Sequence, residues 1–161
     1  PAGRYFEDMM TMPQMALRCA SFYYCPQPWV AYRQRADSIL SSMTPAKAAD
    51  QSAALWPLAQ AVQGLQDDAL RNDGRLHFAF AHQAARNLIG ALRFLDRQQG
   101  MPPAQRQALA QQFLADFGRI SPLSLPALRQ AYLRRGWWLR AWKLRSWERR
   151  AQQLGTPGAH A

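Results

Sequence analysis

Apolar positions recur at helical spacing along most of the chain, and no strand-like alternation survives the Ala, Gln and Arg background. Tyr5, Phe6, Met9, Met10 and Met12 form an opening cluster, followed at helical intervals by Met15, Cys19, Phe22 and Tyr23. Residues 4–24 therefore read as one or two short helices, with Pro13 either starting the second or interrupting the first. This Met and aromatic stripe is expected in the core, ahead of any ligand pocket. CPQP, Cys25 to Pro28, ends the segment, because each proline pushes its predecessor out of the α region. Pro28 to Met43 reads as a further helix, with Trp29, Tyr32, Ile39 and Leu40 towards one side.

Thr44-Pro45 is a start signal, with Thr as N-cap and Pro at the first helical position. The helix from Pro45 is expected to carry Leu55, Leu58, Ala61, Val62 and Leu65 inward, with Pro57 kinking or dividing it near Trp56. RNDG, Arg71 to Gly74, is turn chemistry. Arg75 to Gln99 is the longest expected helix. Leu76, Phe78, Phe80, Leu88, Ile89, Leu92, Phe94 and Leu95 surround most of its circumference, which suits the centre of a bundle. One strip escapes: Gln83, Arg86, Gly90, Arg93 and Arg97 share a face at alternating spacings of three and four. Gly90 there either lets a backbone or phosphate approach closely or serves as a helix-packing notch.

Gly100 and Pro102-Pro103 stop that helix, and Pro103 to Gly118 forms the next, with Ala108, Leu109, Phe113, Leu114 and Phe117 inward. Ser124 then caps a final segment running to Leu154. Treated as one helix, this segment has two opposed apolar stripes. Leu128, Tyr132, Leu139 and Trp142 make one; Leu133, Trp137 and Leu144 make the other. Arg129 with Arg140 and Arg134 with Arg145 fill the gaps between them. One core cannot receive both stripes. Either a partner covers one, or Gly136 breaks the helix between the Arg pair and the Trp pair. The expected fold is all-α, a single-domain bundle of five to seven helices with a long basic, Trp-rich C-terminal helix and a flexible tail over 155–161.

Charge sharpens the picture. Residues 1–70 carry five basic and six acidic side chains, whereas residues 71–161 carry fifteen basic and four acidic ones. The halves are thus net −1 and +11, and such asymmetry points to one half meeting a polyanion. Four tryptophans fall within Trp137 to Trp147, interleaved with Arg and Lys. Guanidinium groups bind phosphates bidentately, and indoles stack on bases. The candidate nucleic-acid-binding residues are Arg86, Arg93, Arg97, Arg134, Arg135, Arg140, Lys143, Arg145, Arg149 and Arg150, with Trp137, Trp138, Trp142 and Trp147 as stacking or wedging rings.

Catalytic signals are absent. His77 and His82 are five apart on different helical faces, and no Cys-x-x-Cys, His-Glu-x-x-His, phosphate loop or Gly-x-Ser-x-Gly occurs. Asp67, Asp68 and Asp73 are the densest acids, but they border a turn, where Asp is ordinary. No enzyme activity, cofactor or metal is expected. Two cysteines, Cys19 and Cys25, fit reduced thiols in the cytoplasm, and no apolar run reaches the roughly 18 residues of a membrane span. Two acids near the start, Glu7 and Asp8, argue against a secretory signal.

The expected function is nucleic-acid binding through the phosphate backbone without strong base readout, as a subunit of a larger nucleoprotein complex. The alternative is an assembly subunit that docks an acidic or helical protein, or an anionic membrane surface, through the Arg/Trp segment. Lipid is the weaker choice, because the polar and apolar residues of that segment do not separate into two clean faces.

Overall fold

The computed structural model describes residues 5–28 and 43–154, and every regular element among them is a helix. Seven helices have eight or more residues, and one further element is a single turn. The helix expected over Pro28 to Met43 and the tail over 155–161 lie outside the described residues.

Helix α1, Glu7–Arg18, runs through Pro13 without a break, contrary to expectation. Proline removes one N–H donor from the ladder. The helix tolerates this while Phe6 and Met10 are buried against Ala54 in a small satellite cluster. The rest of the expected stripe is not core. Met12 and Met15 lie on the exposed face of α1; Phe22 and Tyr23 are 90% and 89% accessible, because α1 ends at Arg18 and helical spacing means nothing beyond it.

Thr44 caps α2, Pro45–Ala53, by accepting from the Lys47 amide at 3.3 Å. Pro57 divides the expected helix rather than kinking it: α3, Trp56–Gln63, begins one residue earlier, with Pro57 in its first turn where no amide partner is needed. Asp67 caps the single turn α4, Asp68–Arg71. Asp73 caps α5, Gly74–Arg97, accepting from the Arg75 and Leu76 amides at 2.7 and 2.8 Å. These hydrogen bonds hold the Asp73 carboxyl below its ordinary pKa, and they give the acids near this turn a capping role.

Helix α5 is the hub. Ala81, Ala84, Ala85 and Ala91 keep its side chains short, so neighbours approach closely, while Leu88, Leu92 and Leu95 fill the space between. It packs against α2 and against α6, Pro103–Ile120, which contributes Phe113, Phe117 and Ile120. Ala108, expected to face inward on α6, is exposed, and Ala110 takes that role. Gly90 proves to be a packing notch: a Cβ there would stand 3.1 Å from Gln51 Nε2 on α2. A buried polar link joins α2 to α6, where Ser52 donates to Asp116 at 3.0 Å and Arg119 donates to the other carboxylate oxygen at 2.9 Å.

The C-terminal segment is two helices, α7, Leu125–Arg134, and α8, Trp138–Gln153, which corrects the single long helix. Gly136 adopts φ +71, the left-handed conformation that ends many helices. The Gly136 amide donates to Leu133 O at 3.0 Å and the Trp137 amide to Tyr132 O at 2.9 Å, the paired bonds of a Schellman ending. The Tyr132 and Trp137 rings, 6.0 Å apart, supply the apolar contact that accompanies it. Helices α7 and α8 then fold against each other as a hairpin, with Arg129 and Glu148 facing across it at 3.6 Å.

Nothing lies within 4 Å of a Cβ built on Gly136, so a substitution there meets conformational strain alone. Gly136→Ala is expected to lower stability by about 1–2 kcal/mol, the cost of a left-handed L-residue. Urea unfolding measures it, and an unchanged midpoint would contradict the role given to the glycine.

Candidate nucleic-acid interface

The corner at Gly136 sorts the tryptophans. Trp137 turns back onto α5, where its ring lies 5.5 Å from Phe78 and 5.6 Å from His82. Tyr132 completes the cluster, edge-on to both Phe78 and His82. Two guanidinium groups cover it, Arg135 at 3.7 Å over Phe78 and Arg140 at 4.6 Å over Trp137. Trp147 packs half-buried against the main core. Trp138 and Trp142, by contrast, are each 70% accessible.

His82 links this cluster to the charged surface. Arg140 can only donate, so His82 Nε2 accepts from it at 2.7 Å. The ring proton then resides on Nδ1, which donates to Tyr132 Oη at 2.8 Å. Burial holds the His82 pKa below its ordinary value of 6.5, and the nearby Arg140 and Arg86 charges push it the same way. Burial also pushes the Tyr132 hydroxyl up to about 12, against the pull of Arg140. At neutral pH the imidazole is therefore neutral and the phenol protonated.

Beside this relay lies an open groove of about 620 Å³ between α5 and the α7–α8 hairpin. Arg86 and Arg93 line one wall and Arg140 and Lys143 the other, with His82 and Tyr132 also in the lining and, among the described residues, no acid. On the outer face of α8 a second hollow, about 350 Å³, is lined by Trp142, Arg145, Arg149 and Arg150 among others.

The carboxylates explain why these cations stand uncompensated. Asp73 caps α5, Asp116 is held by Ser52 and Arg119, Glu148 faces Arg129, and Asp96 pairs with Arg150 at 2.8 Å. All four acids of residues 71–161 are thus engaged. Among the described residues no carboxylate lies within 4 Å of the charged groups of Arg86, Arg93, Arg97, Arg134, Arg135, Arg140, Lys143, Arg145 or Arg149.

The expected site residues therefore divide. Arg86, Arg93, Arg140 and Lys143 meet in the groove, and Arg145, Arg149, Trp138 and Trp142 share the outer face of α8. Arg97 and Arg134 are exposed but line neither hollow. Arg135, Trp137 and Trp147 serve packing, and Arg150 is tied to Asp96. From the sequence His82 is only a histidine that shares no face with His77, and Tyr132 only a member of an apolar stripe. Their pairing spans fifty residues of chain and leaves no local spacing signal.

Fold and groove together define a basic, all-α protein with a cationic cleft and exposed indoles. The chain matches no protein-family model, no curated protein and no solved structure, so the site is read from its own geometry.

Because the folded His82 resists protonation, the unfolded chain binds the extra proton first as pH falls below about 6.5. Its contribution to stability is complete above that pH and is lost on acidification towards the folded value. The thermal midpoint is expected to drop between pH 7.5 and 5.5, and to drop less in His82→Gln. Equal drops in the two proteins would contradict this linkage.

Proposed function

We propose that the chain binds nucleic acid through its phosphate backbone, without strong sequence readout, as a subunit of a larger nucleoprotein complex. The observation that carries this reading is the groove in which Arg86, Arg93, Arg140 and Lys143 converge with no acid in its lining among the described residues. Like charges gathered without counter-charges repel one another, and a polyanion relieves that repulsion while releasing its own condensed counterions. The Tyr132 hydroxyl adds a neutral donor suited to a phosphate oxygen. The sequence carries no visible base-reading code, so affinity is expected to follow backbone and shape.

One observation favours a second reading, an acidic or helical protein partner. Leu133 and Leu139 are 50% and 83% accessible on either side of the corner, and an aliphatic side chain offers little to a phosphate or a base.

Salt dependence tests the proposal. Affinity for labelled strands of about 20 nucleotides, single or paired, should fall about 10³-fold from 50 to 200 mM salt if roughly six phosphates are contacted. Replacing Arg86, Arg93 and Lys143 together by Gln should flatten the log–log slope by about 2–3. Failure of both ligands to bind at low salt sinks the reading.

A further inference from the structure

We infer that the outer face of α8 is a platform for single-stranded nucleic acid, with bases stacked on Trp138 and Trp142 and phosphates held by Arg145 and Arg149. This rests on the proposed function and specifies the strand. The four side chains follow at intervals of four, three and four residues, so they form one stripe along the helix. Both indoles are 70% accessible, and among the described residues neither makes a ring contact with another aromatic group, unlike Trp137. The two guanidinium groups lack carboxylate partners among the described residues. The acid of this helix, Glu148, is turned to Arg129 of α7, so the stripe is purely cationic and aromatic.

Spacing selects the strand type. Residues four apart on a helix are offset by about 6 Å along its axis. That is close to twice the roughly 3.4 Å rise of a regular stack. The rings therefore meet successive bases only in a strand drawn out of its stack. In a duplex both faces of every base are already covered, and a convex helix carrying two rings reaches base edges alone. An unpaired strand offers bare faces to the indoles, and its backbone carries charge complementary to Arg145 and Arg149. The hollow beside Trp142, bordered by both arginines, gives the phosphate a place next to the stacked base.

The test uses the full chain and three ligands of about 20 units: a single strand, its duplex and an abasic phosphodiester of equal length. Binding is followed by anisotropy and by tryptophan fluorescence. The single strand should bind at least tenfold tighter than either other ligand and quench the fluorescence. Trp138→Ala/Trp142→Ala should remove that advantage, with single-strand affinity falling at least tenfold. Trp138→Tyr/Trp142→Tyr, which keeps a ring at each position, should restore most of it, separating stacking from any fault in folding. Equal binding of all three ligands, or an alanine variant that binds the single strand as wild type does, overturns the platform and leaves backbone binding standing. Binding of none of them overturns both, as does capture by phosphatidylserine vesicles in their place.

Discussion

Gly136 holds φ +71, and the two hydrogen bonds of the Schellman ending around it stop α7 at Arg134, two residues short of the tryptophan pair. Trp137, whose amide donates a hydrogen bond to Tyr132 O, joins a partly exposed aromatic cluster with Phe78, His82 and Tyr132. Its neighbour Trp138 starts α8 and points outward. The corner thus resolves the conflict of two apolar stripes on one helix. Leu128 and Tyr132 pack inward from α7, Leu144 from α8, and Leu139 and Trp142 are released to the surface.

The same hairpin sets the electrostatics. Ion pairs from Arg129 to Glu148 and from Arg150 to Asp96 tie α7 to α8 and α8 to α5, consuming two of the few acids in this half. Such partly exposed pairs contribute little stability each, about 0–1 kcal/mol, but they orient α8 against α5. What remains on either side of α8 is positive. One side closes over the groove with Arg86 and Arg93, where Arg140 is held by a neutral His82; the other carries the indoles. Arg140 therefore has two duties, bracing the cluster and charging the groove.

Much of this was legible in the chain. Thr44-Pro45 and Ser124 are caps because a short polar side chain preceding an apolar-periodic stretch satisfies free amides, and both act as expected; Asp73, expected only as turn chemistry, caps α5 in the same way. The cationic face of α5 was readable from the spacing of Arg86, Arg93 and Arg97. Two failures have a common origin. The stripe Met15, Cys19, Phe22, Tyr23 and the opposed stripes of the last segment both presumed a continuous helix, and periodicity carries no information past a break. For the second, the break at Gly136 that the sequence offered as the alternative is the one that occurs. The His82, Tyr132 and Arg140 relay had no such signal, since its members meet only through the packing of α5 on the hairpin.

Arginine footprinting tests the central claim most directly. The chain, free and saturated with nucleic acid, would be treated with an arginine-selective dicarbonyl reagent and mapped by mass spectrometry. Protection should concentrate at Arg86, Arg93, Arg145 and Arg149, whose side chains have no carboxylate partner among the described residues, and be absent at Arg75 and Arg119. Protection spread evenly over all of these, or confined to Arg75 and Arg119, would contradict the assignment of α5 and α8 as the binding surface.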